Sequence, residues 1–119
     1  MVNRILLVIK SRPHESSRAA EGLRMATAMI AMDVLPQILF VDDGVYWLVK
    51  KQVPESAGNS SIMERLKTIS DLVGVHVLSD SLAERKLRQK DLNKDYNAKN
   101  LSLDEASKLL SQNTTVITF

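Results

Sequence analysis

Apolar residues fall along this chain in two rhythms: short unbroken runs, and longer stretches where they recur at helical spacing. The first run, Arg4–Lys10, holds Ile5 to Ile9 without a polar interruption. It is too short for a helix and suits a strand covered on both faces, as in parallel sheets. Pro13 then turns Arg12 away from helical angles, and Ser16 or Ser17 is placed to cap a helix. From Ser16 to Ala31, residues Leu23, Ala26, Met29 and Ile30 mark one face of that helix, which is rich in alanine. Met25 and Met29 read as core filler.

Val34–Val41 predicts a second strand, with Pro36 near its start where a missing N–H matters least. Asp42, Asp43 and Gly44 end it, and Val45–Lys51 predicts a short helix. Pro54–Ser61 is loop by composition. Ile62, Leu66, Ile69 and Leu72 or Val73 again mark a helical face, stopped at Gly74. Val75–Leu78 is a third short strand, and a helical piece spans Ser81 to Gln89. Asp91–Asn100 is polar and weakly patterned, so strand and loop both stay open there. Ser102 with Glu105 three residues on is a capping box that starts the last helix, with Ala106, Leu109 and Leu110 on its apolar side. Thr114–Phe119 is rich in β-branched residues and closes the chain as a strand.

Strands alternating with helices imply one α/β domain over residues 1–119. Its central sheet would be mostly parallel, of about five strands, and flanked by helices on both faces. Ligands of such sheets collect at the carboxyl ends of the strands. Ser11–His14, Asp42–Gly44 and Leu78–Ser81 should converge on that edge.

Composition narrows the classes. With 45% hydrophobic and 25% charged residues the chain is globular rather than disordered. Its 119 residues support one core and leave little room for an enclosed active site, which favours a site shared between subunits. A net charge of +2 is too mild to imply nucleic acid, and direct nucleic-acid binding is not expected. The basic stretch Arg85–Lys99 is interleaved with Glu84, Asp91 and Asp95 and reads as a solvated face. Neither a signal peptide nor a membrane-length apolar segment is visible, so a cytoplasmic protein without membrane contact is expected.

The chain has no cysteine, which removes disulfides, thiolate nucleophiles and thiolate-bound zinc. His14 and His76 have no ligand spacing, and no metal or cofactor is expected. Gly22, Gly44, Gly58 and Gly74 are isolated from one another, which excludes the glycine-rich nucleotide-binding turns. Ser11, His14 and Asp42 could share a cleft, but these residue types are common in such loops and make a weak case for a hydrolase. Asp42 and Asp43 could act as paired carboxylates; the simpler reading is a helix N-terminus, where acidic side chains satisfy free N–H groups. His76, inside an apolar strand, reads as a satisfied core or interface histidine. Trp47 and Leu48 either pack inward, or Tyr46 and Trp47 anchor a subunit contact.

Several of these segments resemble a known family. Ile5–Ser11 with a helix after it, and then Ile38-Leu39-Phe40-Val41-Asp42-Asp43-Gly44-Val45-Tyr46-Trp47-Leu48, are similar to the DsrE/DsrF-like proteins, the second stretch especially to the DsrF/TusC branch. Val75–Arg85 resembles the family's third strand and the helix after it. That region often ends in Arg-Gly, where this chain has Arg85-Lys86. The acidic last helix and the Thr114–Phe119 strand are similar too, so the resemblance spans nearly the whole chain.

The resemblance implies a flavodoxin-like arrangement and assembly into dimers, trimers or hexamers. It also implies a place among proteins that pass persulfide sulfur between cysteines, for tRNA thiolation or sulfur oxidation. The carrier cysteine of the DsrE/TusD branch falls here at about Leu78 or Ser79. Neither leucine nor serine can hold a persulfide. The resemblance therefore implies a non-catalytic subunit or scaffold of a sulfur-relay complex, homo-oligomeric or paired with cysteine-bearing DsrE/TusD-like homologues. The alternative is a homo-oligomeric small-ligand or anion-binding protein using the strand carboxyl edge. Candidate contact residues for either are Ser11, Arg12, His14, Asp42, Asp43 and Gly44, together with Tyr46, Trp47, Leu78, Ser79 and the basic 85–94 region.

Overall fold

A computed structural model describes residues 4–13, 17–49 and 57–119, with 57–63 as backbone only. The short apolar runs become parallel strands: β1 (Ile5–Ile9), β2 (Gln37–Phe40), β3 (Val75–Leu78), β4 (Lys99–Leu101) and β5 (Thr115–Thr118). They form one sheet in the order β4-β3-β2-β1-β5. Helix α1 (Arg18–Ala31) links β1 to β2, α2 (Ala57–Leu72) precedes β3, α3 (Ser79–Glu84) comes directly after it, and α4 (Leu103–Gln112) joins β4 to β5.

The chain steps outward from β1 to β4, and then α4 carries it back across the sheet to β5, on the other side of β1. Right-handed crossovers in opposite directions put helices on opposite faces. One face is a deep core in which Leu7, Ile9, Ile38, Phe40, Val75 and Val77 meet Leu23 and Ala26 of α1, Leu66 and Ile69 of α2, and Trp47. The other is a thinner layer, where Leu6, Val8, Leu39 and Leu101 lie under Ala106 and Leu109 of α4. Each fully buried Leu, Ile or Phe contributes about 1.5–3 kcal/mol, so the first face carries most of the stabilisation.

Element boundaries depart from the sequence pattern in ways with physical causes. β2 begins after Pro36 rather than at Val34, because Asp33 takes a left-handed turn at φ 64° and Pro36 has no N–H to give a ladder. Within the stretch expected to be loop, Ala57–Ser61 opens α2; small polar residues suit a first turn, where the N–H groups lack helical partners anyway. Residues 54–56 of that stretch and Ser16 lie outside the described residues. Of the helix expected at Val45–Lys51, Lys50 and Lys51 lie outside the described residues, and Val45–Leu48 falls in a 3-10 helix, Asp42–Leu48, that starts directly after Val41. α3 ends at Glu84, and Lys86 takes φ 56°. That is a conformation glycine adopts at little steric cost, and it is the place where the family often has Gly.

Asp91–Asn100 resolves into the end of one 3-10 turn, a second at Lys94–Tyr96, and the start of β4. Leu92 and Tyr96 bury into the deep core from this polar stretch, and Asn93 N–H donates to the Leu48 carbonyl at 2.7 Å. The capping box forms as the pattern requires. Ser102 Oγ accepts from Glu105 N–H at 3.2 Å, and Glu105 Oε1 accepts from Ser102 N–H at 2.9 Å. Among the described residues no helix is long and apolar enough to cross a membrane.

Candidate functional site

The carboxyl ends of β1, β2 and β3 deliver three loops to one edge, and a network ties them. After Val41 the chain turns through Asp42, whose left-handed φ of 50° aspartate tolerates better than most residues. Asp42 N–H donates to the hydroxyl of Ser81, on α3, at 2.9 Å. The 3-10 helix then lies so close to the end of β1 that a Cβ at Gly44 would stand 2.0 Å from the Ile9 carbonyl oxygen. Trp47, 1% exposed, donates its indole N–H to the Ser11 carbonyl at 2.9 Å and so holds the loop after β1.

That tether sets Arg12 beside the turn. The Asp43 carboxylate accepts from Arg85 Nε at 3.0 Å and from Arg12 Nη2 at 3.1 Å. Arg12 also spreads its guanidinium over the Tyr46 ring, 5.6 Å from the centroid, a cation–π arrangement. Arg85 Nη1 donates to the Ser81 carbonyl at 3.1 Å. The Arg85 side chain is 19% exposed and acts as the buttress; Arg12, at 50%, is the outward arm. The hydrogen bond from Arg85, seconded by Arg12, holds the Asp43 carboxyl below its ordinary 3.8. Two guanidinium groups thus converge on one carboxylate.

The structure separates the other candidates. Asp42 and Asp43 lie in the first turn of the adjoining 3-10 helix, as expected of a helix N-terminus, but Val41 holds the cap position and the Asp43 carboxylate goes to two arginines. Ser11 serves through its carbonyl, and Asp42 is exposed and anchored through its amide. His14 lies outside the described residues. Leu78 is half-buried beside the thin layer, and Ser79 opens α3. Ser81, buried and bonded to two groups of the network, lies in the Leu78–Ser81 segment expected at this edge, though nothing in the sequence distinguishes its hydroxyl from that of Ser79. Among the described residues no group of three or more His, Asp or Glu could hold a metal ion. A cavity of about 460 Å³ lies away from this edge, between α1 and α2, lined by Ile30, Ile69 and Leu72 among others.

His76 is a second unusual group. It sits on the thin-layer face of β3, in register with Leu39 and Lys99, and among the described residues neither buried ring nitrogen finds a hydrogen-bond partner. The sequence pattern suggests a satisfied core or interface histidine; among the described residues no hydrogen-bond partner reaches its ring. Burial, with Lys99 adding to it, holds the imidazole below its ordinary 6.5. The unfolded chain therefore takes up the proton first as pH falls. The associated stability is complete above pH 6.5 and is lost as pH drops through the folded-state value, with a slope of at most about 1.4 kcal/mol per pH unit. His76→Leu should flatten that part of the acid limb in urea unfolding measured from pH 7.5 downward; an unchanged limb would assign it to other groups.

Residues 3–119 match the family described as DsrE/DsrF-like. A "Protein TusC homolog" from Vibrio parahaemolyticus is 32% identical over 99% of this chain and 100% of its own length. Another from Aliivibrio fischeri is 31% identical over 87% of this chain and 97% of its own. The "Intracellular sulfur oxidation protein DsrF" of Allochromatium vinosum is 30% identical over 77% of this chain and 69% of its own. Among solved structures, the ychN protein from E. coli superposes with a TM-score of 0.80 at 20% identity, over 99% of this chain and 100% of that one. A protein of unknown function from Methanobacterium thermoautotrophicum gives 0.73 at 16% identity, over 98% and 99%. At such identities the structural likeness speaks for the fold alone.

Proposed function

This chain belongs to the DsrE/DsrF-like family, and from that membership we propose that it is a non-catalytic subunit of a cytoplasmic sulfur-relay complex, docking beside cysteine-bearing homologues. One observation carries the reading: a fold intact from β1 to β5 contains no thiol. Sulfane sulfur moves when a thiolate attacks the outer sulfur of a persulfide, so each carrier needs a cysteine Sγ. The methionine thioethers here have no proton to lose and form no persulfide. The resemblance sets the carrier branch's cysteine at about Leu78 or Ser79, at the end of β3.

The clasp supports the docking half of the proposal. It joins the 42–48 turn to the basic region that starts at Arg85, two contact candidates 42 residues apart in sequence. It sets the Arg12 guanidinium beside the Tyr46 ring, 5.6 Å from its centroid, next to that turn. DsrF in Allochromatium is named for sulfur oxidation; that pathway or tRNA thiolation would place the complex.

Capture of the native chain from its own cell extract, with mass spectrometry of the bound material, should recover a cysteine-bearing homologue. The isolated chain should not retain labelled sulfane sulfur, and retention would overturn the non-catalytic assignment. Asp43→Ala should lower folding stability by about 1–2 kcal/mol, because its pair with Arg12 is exposed and contributes little while the part-buried Arg85 loses its charged acceptor. Partner capture should fall about tenfold, equivalent to about 1.4 kcal/mol of binding. Undiminished capture by that variant would remove the clasp from the interface.

A further inference from the structure

The cavity between α1 and α2 takes no part in the clasp. Both helices lead from one strand to its parallel neighbour, so they run the same way across the deep-core face. Their facing residues recur at helical spacing, Thr27, Ile30 and Ala31 on α1 and Arg65, Thr68, Ile69 and Leu72 on α2. Ile69, 1% exposed, lies at the floor, whereas Leu72, 54% exposed, stands at the open end. Thr27 Oγ1 donates to the Leu23 carbonyl at 3.0 Å and Thr68 Oγ1 to the Glu64 carbonyl at 3.2 Å, so each hydroxyl proton is spent within its own helix. Apart from Arg65, the lining has no free side-chain donor.

Arg65 is the exception that gives the groove a polarity. It is half-buried, yet makes no ion pair or hydrogen bond with another described residue. A guanidinium carries five donors and no acceptor, and taking it out of water costs free energy unless an acceptor comes to it. Glu64 borders the same groove but cannot serve. It is exposed, and as the next residue along α2 it points about 100° round the helix from Arg65. The groove thus has an unanswered cation towards one end and apolar walls along the rest.

We propose that this groove binds a small amphiphilic carboxylate, with its anionic head on Arg65 and an unbranched aliphatic tail running toward Leu72. Its volume of about 460 Å³ falls within the usual range of small-molecule sites, about 300–1,000 Å³, which are mainly apolar with a few placed polar groups. The planar guanidinium fork matches a carboxylate through two parallel hydrogen bonds. Length agrees as well: Arg65 to Leu72 rises about 10 Å along α2, the reach of an extended octanoate. Direction follows from the helices. Ala31 and Leu72 are the last residues of α1 and α2, and the negative ends of both helix dipoles would repel a carboxylate there. The head therefore belongs at Arg65 and the tail at the open end.

The inference does not rest on the relay reading and is tested on the purified chain. In isothermal titration at pH 7.5, octanoate should bind with a dissociation constant of about 1 mM or below, within reach of so small a ligand. Octanol, with the same tail and no charge, should bind about tenfold more weakly. Arg65→Gln should weaken octanoate about tenfold and leave octanol unchanged, while Glu64→Gln should not weaken it. Ile30→Trp fills the groove and should abolish binding of both probes. Circular dichroism establishes that each variant is folded, and the Arg65 and Glu64 variants decide the matter if the tryptophan is not tolerated. No saturable heat from the native chain with octanoate, the result if another protein surface already fills the groove, would overturn the proposal. So would equal affinity for octanoate and octanol, an Arg65→Gln variant that binds octanoate as the native chain does, or a folded Ile30→Trp variant that still binds.

Discussion

Gly44→Ala should cost the protein more than about 3 kcal/mol, enough to threaten folding in a domain whose total stability is typically about 5–15 kcal/mol. The reason is steric rather than conformational, since Gly44 does not have a positive φ. An added methyl carbon would stand 2.0 Å from the Ile9 carbonyl oxygen and 2.7 Å from its carbon. Both atoms belong to the backbone of β1, a strand flanked on each side by another, and cannot swing aside as a side chain would. Ordinary overpacking costs about 1–3 kcal/mol because side chains give way. Here the 3-10 helix itself would have to lift. That motion would stretch the bond from Gly44 N–H to the Val41 carbonyl and pull on the Trp47 tether to Ser11. Gly74→Ala is the control: its methyl would meet the tip of the His76 ring at 3.2 Å, and that ring can shift, so a loss below about 1 kcal/mol is expected. Urea unfolding of the two variants side by side measures the difference. Equal, small losses would mean that the close approach of turn to strand is not required.

Gly44 also shows where sequence reasoning reaches and where it stops. A glycine after two aspartates marks a strand-ending turn, and that much is legible. Its neighbour Asp42 takes the left-handed angle, while Gly44 supplies clearance, and nothing local distinguishes those roles. Val75–Leu78 and the Ser102–Glu105 capping box were readable because each is a contiguous pattern with its own physics. The parallel order could be inferred from the alternation of strand and helix. Leu92 and Tyr96 were not readable as core: each stands alone among polar residues, and tertiary packing buries them.

The clasp has the same character on a larger scale. Its ion pairs span 31 and 42 residues, distances at which no periodicity links one charge to another. Asp43 could be placed near the strand edge from topology, yet its two arginines could be chosen only once the loops were in space. Local propensity assigned it to a cap; the competing guanidinium groups, offering charge-assisted hydrogen bonds, prevailed. The edge strand is an intermediate case. Its β-branched composition is visible, but which residues turn their backbone outward depends on the register with β1.

Trp47→Ala should lower stability by about 3–5 kcal/mol, the usual cost of emptying a large aromatic site in a packed core. Trp47 is the chain's sole tryptophan, so unfolding of the native protein can be tracked by its fluorescence, and circular dichroism serves for the variants. Trp47→Phe separates two contributions. It keeps most of the apolar volume but deletes the indole N–H, leaving the Ser11 carbonyl without that donor, a loss of about 1–3 kcal/mol where no water replaces it. If the indole does nothing beyond filling the core, the phenylalanine variant should bind partners as the native chain does once both are fully folded. The geometry argues otherwise: the residue after Ser11 is Arg12, and the tether is what brings its guanidinium to Asp43 and over Tyr46. Folded Trp47→Phe should therefore show weakened partner capture, in the same direction as Asp43→Ala. The double variant should lose little more than either alone, since both release the same arm. Additive losses would place the tether and the clasp in separate roles.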